Sequence, residues 1–280
     1  MRPAGPPTPI RNALPRLALL PGVLLAAFLL VPLLALLVMA APDELAAGFS
    51  DPAVWPALRL SLLTTTVSLV VVVVGGLPLA WTLSQARGRM ARVLRPVETA
   101  LQLPIVMPPA VAGVALLLAY GRRGWLGAHL PEGWHIGFTT LAVILAEIFV
   151  SAPFFLQTAT AAFRSLDPEL LSVARALGAS RSRVFFRVVL PLAARGLAAG
   201  AAMSWARALG ELGATLMFAG NLQGVTQTAP LAVYTALESD FWAAQAMALV
   251  LVVVAFGVLL LVRALARRGG LGDVGEVPRG

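Results

Sequence analysis

Apolar residues run in six long blocks, near 17–40, 58–83, 100–120, 138–160, 193–217 and 243–262, and the polar stretches between them carry most of the charge. Each block reaches the roughly 20 residues a helix needs to cross a hydrocarbon core. The blocks are continuous rather than alternating, and lipid leaves no backbone group free, which excludes barrel strands and predicts helices. The expected fold is all-α, a polytopic membrane protein with about six transmembrane helices. Gly75, Gly76 and Pro78 fall inside the second block, Pro104, Pro108 and Pro109 inside the third and Pro153 inside the fourth. Each proline removes a backbone donor and is expected to bend its helix.

Composition agrees with that reading. Residues of the AVILMFWYC set make up 59% of the chain and charged residues only 12%, too little to cover a water-facing surface. A soluble enzyme, a disordered chain and a disulfide scaffold are excluded, the last by the absence of cysteine. All 21 basic residues are arginine and the net charge is +8, but their placement points to topology rather than to nucleic acid. One side of the membrane would hold Arg2, Arg11, Arg16, Arg87, Arg89, Arg92, Arg95, Arg164, Arg175, Arg181, Arg183, Arg187, Arg195, Arg263, Arg267, Arg268 and Arg279. The other would hold only Arg59, Arg122 and Arg123, mixed with Asp43, Glu44, Asp51, Glu132, Glu238 and Asp240. The positive-inside rule then makes both termini cytoplasmic. No basic segment is interleaved with base-stacking aromatics, so no nucleic-acid partner is expected. The first block is longer than the about 7–15 apolar residues of a cleavable signal and reads as a retained anchor. The chain divides into an N-terminal segment 1–16, a transmembrane domain 17–262 with a long loop 161–192, and a tail 263–280.

That loop carries the densest local signals. Asp167 can cap a helix whose first residue is Pro168, Gly178 suits the left-handed position that ends it, and Ser180 can cap a second short helix toward Pro191. The hairpin so formed mixes Arg175, Arg181, Arg183 and Arg187 with Leu170, Leu171, Val184, Phe185 and Phe186. Physics alone leaves two uses open, resting on anionic lipid or docking a protein partner.

Ser172, Val173, Ala174, Gly178, Val188, Leu190 and Pro191 resemble, at the same spacing, the loop signature of permease subunits of ATP-binding-cassette importers: Glu-Ala-Ala, three residues, Gly, nine residues, Ile, one residue, Leu-Pro. Ser172 and Val173 replace the family's Glu and first Ala, with Glu169 one helical turn away. A second stretch is similar to molybdate permeases, relatives of the tungstate and sulfate permeases: Ala208 to Thr215, Phe218-Ala219-Gly220-Asn221, and Thr226 to Tyr234. The resemblance implies a type I importer permease in the plasma membrane of a prokaryote, moving molybdate or a related tetrahedral oxyanion. It implies a coupling surface for an ATPase at Glu169, Ser172, Val173, Ala174, Arg175, Gly178, Ala179, Ser180, Arg181, Leu190 and Pro191. Its implied partners are a second copy of the chain, cytoplasmic ATP-binding subunits that hold the ATP and magnesium, an extracytoplasmic oxyanion-binding protein, and membrane lipid. No catalytic role and no cofactor in this chain are implied.

Within the blocks, Glu147, Arg207 and Glu211 are charges that cost about 2.5–3.5 kcal/mol each on insertion scales unless partnered. Ser204, Arg207, Glu211 and Thr215 have the spacing of one helical face, and with Asn221 they are the candidate pathway or gate. Arg207 and Glu211 can equally form a structural pair, with Gly196 and Gly200 permitting close helix approach nearby. Thr64, Thr65 and Thr66 either line a pore or bond back to their own helix. His129 and His135, with Glu132 between them, read as solvated loop rather than metal ligands. No phosphate-binding loop of the Gly-x-x-x-x-Gly-Lys type can exist without lysine. The alternatives are a permease for sulfate or tungstate, and a proton-coupled secondary transporter using Glu147 and Glu211; a membrane enzyme would need a nucleophile or metal that the pattern does not supply. The glycine-rich tail 263–280 is too short to bury a core, so no anion-sensing domain is expected there.

Overall fold

A computed structural model describes residues 19–39 and 42–268, with residues 44, 45, 47 and 261–268 described by backbone alone. The expected segment 1–16 with Arg2, Arg11 and Arg16, and Arg279 of the tail, lie outside the described residues. Among the described residues there is no strand. The helices are α1 (Leu20–Val38), α2 (Pro42–Phe49), α3 (Val54–Ser84), α4 (Gly88–Leu101), α5 (Leu103–Val106), α6 (Pro109–Tyr120), α7 (Thr140–Arg164), α8 (Pro168–Ala176), α9 (Arg181–Val184), α10 (Leu190–Leu209), α11 (Gly213–Ala219), α12 (Ala229–Ser239) and α13 (Phe241–Arg268). Five are long and apolar enough to span a membrane, taking Arg181–Leu209 as one helix, and a bent pair makes a sixth.

Helix α7 is the axis of the bundle, packed between α3 and α10. Its contacts are small and close: Ala142, Ala146 and Ala159 are fully buried, and a Cβ added at Gly196 of α10 would lie 2.5 Å from Ala162 Cβ. Without a hydrophobic gain between lipid-immersed helices, such close approach supplies the packing. Polar ties cross the same interfaces. Thr64 and Ser68 of α3 donate to the two carboxylate oxygens of Glu147, at 2.7 and 2.8 Å, and Ser204 of α10 donates to the Ser151 carbonyl at 3.1 Å. Thr65 and Thr66 bond back to the carbonyls of Ser61 and Leu62, both at 2.6 Å.

Two expected spans are corrected. The block 100–120 is no straight helix: α4–α5 and α6 meet at 118°. Consecutive prolines cause this, because a residue before proline is pushed out of the helical region, and both Met107 (ψ 133°) and Pro108 (ψ 135°) are extended. The block 193–217 ends early, at Leu209, and restarts as α11 after a turn at Gly210–Leu212. By contrast α3 runs unbroken through Gly75, Gly76 and Pro78, and α7 through Pro153. Gly76 serves contact there, since a Cβ would meet the Phe155 ring at 2.8 Å.

Helices α2, α4, α11 and α12 occupy stretches where the hydropathy blocks predict loops or continuous spans. Helix α1 has no buried residue and touches the rest mainly through α13, where Gln245 donates to the Leu36 carbonyl at 3.2 Å.

Gly196→Ala should force α7 and α10 apart and lower stability by roughly 1–3 kcal/mol, the usual range for overpacking. Thermal unfolding of the detergent-purified chain checks this, and adding Ala162→Gly should restore the loss.

Candidate functional site

The sequence-predicted residues fall at two places, a hairpin at the arginine-rich end and a polar turn inside the bundle. In the hairpin the caps form as the residue types dictate. Asp167 accepts from the Glu169 N–H at 2.8 Å, Pro168 opens α8, and Ser180 accepts from the Arg183 N–H at 3.3 Å to start α9. Gly178 has φ +82°, and its N–H and that of Ala179 close on the carbonyls of Arg175 and Ala174, at 2.9 and 3.2 Å. That pair of bonds is the Schellman ending, which satisfies two of the carbonyls α8 would otherwise strand.

The hairpin has an inner and an outer side. Leu171 and Val184 are buried in one cluster with Phe155, Phe163 and Val189. Phe185 meets Trp81 and Phe163 with ring centroids 5.5 and 6.3 Å apart, and Trp81 meets Phe163 edge-on at 5.4 Å. Pro191 explains how Phe185 reaches them: it lacks an N–H, and the turn before it widens to a π-helix over Phe185–Val189, closed by the Leu190 N–H on the Phe185 carbonyl. Leu190 is half-buried and Pro191 exposed. On the outer side Glu169, Ser172, Val173, Arg175, Gly178, Ser180 and Arg181 are exposed, while Ala174 and Ala179 are half-buried against the cluster. Leu170, Val173, Leu177 and Phe186 add an exposed apolar ridge, with Leu177 at the tip 83% exposed. Chemically this is a rigid knob of apolar side chains rimmed by arginine.

Arg164, at the end of α7, extends the tie. It forms a two-pronged ion pair with Glu98 of α4, at 2.9 and 2.8 Å, and donates to the Leu83 carbonyl of α3 at 3.3 Å. The sequence reading missed this pair, though Glu98 is the lone acid in the arginine-rich stretch before α5.

Inside the bundle, Ser204, Arg207, Glu211 and Thr215 do not share one helical face as the spacing predicts, because α10 ends between them. The turn nevertheless joins Arg207 to Glu211: Nη1 lies 2.6 Å from Oε2, with the Glu211 side chain 1% and the Arg207 side chain 29% exposed. The other oxygen, Oε1, accepts from the Ala214 N–H at 2.7 Å. Glu211 therefore caps α11 while it pairs with the end of α10, and this double use fixes the turn. Thr215 is fully buried with its hydroxyl unpartnered, and Asn221 lies beyond α11, its amide donating to Thr235 at 2.8 Å. Glu147 is separate from Arg207, enclosed by Thr64 and Ser68. Among the described residues no group of three or more His, Cys, Asp or Glu is placed to hold a metal ion, and His129 Nδ1 bonds to the Trp125 carbonyl at 2.9 Å.

Gly178→Val should strain the left-handed residue by about 1–2 kcal/mol and loosen the hairpin; amide hydrogen exchange over residues 177–183 should accelerate while that of α7 is unchanged. Arg207→Leu or Glu211→Leu alone should destabilise the chain by about 1–3 kcal/mol, discounted for the partial exposure of Arg207. The double change should cost less than the two single losses added, as thermal unfolding in a double-mutant cycle will read.

Residues 73–269 match the family described as the binding-protein-dependent transport system inner membrane component. The chain is 42% identical, over 88% of its length and 93% of the relative's, to the molybdenum transport system permease protein ModB of Mycobacterium tuberculosis. It is 36% identical to ModB of Escherichia coli K12, over 68% of this chain and 82% of that one. In fold it is similar to a chain of a bacterial alginate ABC transporter in complex with alginate-bound periplasmic protein, with a TM-score of 0.71 at 19% identity over 90% of this chain and 93% of that one. Helix content, the hairpin and these matches agree, and the chain belongs to the inner-membrane permease family of binding-protein-dependent transport systems, with the fold of a type I ABC importer permease.

Proposed function

We propose that the chain is the membrane-spanning subunit of an ATP-driven importer for molybdate or a closely related tetrahedral oxyanion. The observation that carries this reading is the 42% identity to a molybdenum permease across nearly the full length of both chains. The arginine distribution orients it with the hairpin and both termini in the cytoplasm of a prokaryotic cell. Two copies enclose the path. A cytoplasmic ATPase subunit, which holds the ATP and magnesium, seats each hairpin through Leu170, Val173, Leu177 and Phe186, with Arg175 and Arg181 at the rim. An extracytoplasmic binding protein delivers the anion to the arginine-poor end.

The chain's own work is mechanical. Displacement of the hairpin by the ATPase passes through Phe185, Trp81 and Phe163 to α3 and α7, and through Arg164 and Glu98 to α4. Helices α5 and α6 pack on α7, and α6 also packs on α11, so the break at Pro108 and the turn at Gly210 shift together and expose the path to one side and then the other. Arg207, partly exposed beside its buried partner, offers a positive charge that Glu211 largely neutralises, which attracts an oxyanion without holding it.

The test is uptake of radiolabelled molybdate into proteoliposomes holding the permease, its ATPase and the binding protein. Uptake should require ATP, and unlabelled molybdate and tungstate should compete more strongly than sulfate. Uptake driven by a pH gradient without ATP would contradict the proposal. Uptake with ATP for which sulfate competes best would move the assignment to a sulfate permease.

A further inference from the structure

Between α11 and α12 the chain makes a compact loop that the hairpin and the Arg207 pair do not involve. Gly220 (φ +74°) and Gly224 (φ +76°) turn it, and Thr226 closes it by accepting from the Leu222 N–H at 2.9 Å. The loop then enters the protein: Thr226, Gln227 and Thr228 are 0, 7 and 3% exposed. Helix α12, eleven residues long, starts from this buried position, with the Ala229 N–H held by Ser61 Oγ of α3 at 2.7 Å.

Its N-terminus is under-used. Thr228 is the N-cap residue, yet its hydroxyl makes no capping bond and, although buried, has no partner at all. Pro230 has no N–H to offer, and Leu231 is in the first turn, where a helix supplies no acceptor. Two amides converge on the same helix. Asn221 Nδ2 and Gln227 Nε2 both donate to Thr235 Oγ1, at 2.8 and 3.4 Å, and Thr235 in turn donates to the Leu231 carbonyl at 3.0 Å. Each amide keeps a second N–H. Asn221 Oδ1 is buried without a partner, and a half-turn of that amide would present its NH2 group there instead. Thr235 is exposed and Asn221 half-buried, so the cluster runs from an accessible edge to the buried Thr228.

Thr228 stands at the positive end of the helix dipole, and the Asn221 and Gln227 amides meet the same helix about two turns further along, at Thr235; all are uncharged donors. A tetrahedral dianion presents four acceptor oxygens and is stabilised by such an end. Neutral donors also suit a step that the anion must leave, where a full positive charge would trap it. We propose that the N-terminus of α12, with Thr228, Gln227 and Asn221, is a transient binding step for the oxyanion inside the membrane path. The proposal rests on the reading of the chain as an oxyanion permease and adds to it a place and a donor set.

The experiment uses the assembled transporter in proteoliposomes, measuring radiolabelled molybdate uptake and ATP hydrolysis on the same sample. Thr228→Val keeps the shape and removes the hydroxyl; Gln227→Leu removes an amide. Each should lower molybdate moved per ATP hydrolysed by roughly tenfold, the scale of one lost hydrogen bond to a charged group. Thr228→Ser should restore transport per ATP. A Thr228→Val and Gln227→Leu pair with wild-type transport per ATP would overturn the site, as would equal loss in Thr228→Ser. If the wild-type complex moves no oxyanion, the substrate reading itself falls, and with it the site.

Discussion

Edge-on packing of Trp81, Phe163 and Phe185 joins α3, α7 and the root of α10 where the bundle meets the hairpin. Aromatic pairs of this kind contribute about 0.5–1.5 kcal/mol each beyond the area they bury. Their value here is stiffness. A hairpin resting on the bundle by polar contacts would slide when pushed, whereas one rooted through Leu171, Val184 and Phe185 moves with the helices beneath it. The widened turn ahead of Pro191 is what aims Phe185 inward, so a proline that looks like a helix breaker supplies the joint.

The interior of the bundle follows a different rule. Lipid penalises every unpaired polar group; among the described residues most hydroxyls go to helix carbonyls, and the two buried acids go to specific donors. Glu147 takes Thr64 and Ser68, and Glu211 takes Arg207 and the Ala214 N–H. Both acids thus fix how helices end and meet. The buried hydroxyls left over, Ser151, Thr160, Thr215 and Thr228, mark where polar capacity remains unspent.

Much of this was legible in the residues. The apolar blocks place the spans, and Asp167, Pro168, Gly178 and Ser180 place the hairpin, because capping chemistry is local and nearly independent of the rest of the fold. What hydropathy does not record is helix direction. The block 100–120 stays apolar through Met107-Pro108-Pro109, so the reversal at that point leaves no trace in composition, although the proline pair itself was the available signal. The face drawn through Ser204, Arg207, Glu211 and Thr215 assumed a continuous helix, and Gly210 with Gly213 ended it. Conversely Pro78 and Pro153 were expected to bend their helices, and both helices run on through them, Pro153 buried in the bundle and Pro78 on its exposed face. Helix α12 was hidden because its start is buried by tertiary contact with Ser61, which no local pattern reveals, though Thr228-Ala229-Pro230 is a fair helix opening.

The central claim is that the hairpin and α7 move as one body during the transport cycle. Distances between spin labels test it directly in the reconstituted complex. A pair at Leu177 on the hairpin and Leu141 at the far end of α7, in labelled chains diluted with unlabelled ones, should keep the same separation with and without ATP. In the proposed pair of copies, a single label at Leu177 in each should report a change of several ångströms between the two states. A separation from Leu177 to Leu141 that changes as much as the separation between copies would contradict the account, because the hairpin would then be moving on the bundle rather than with it.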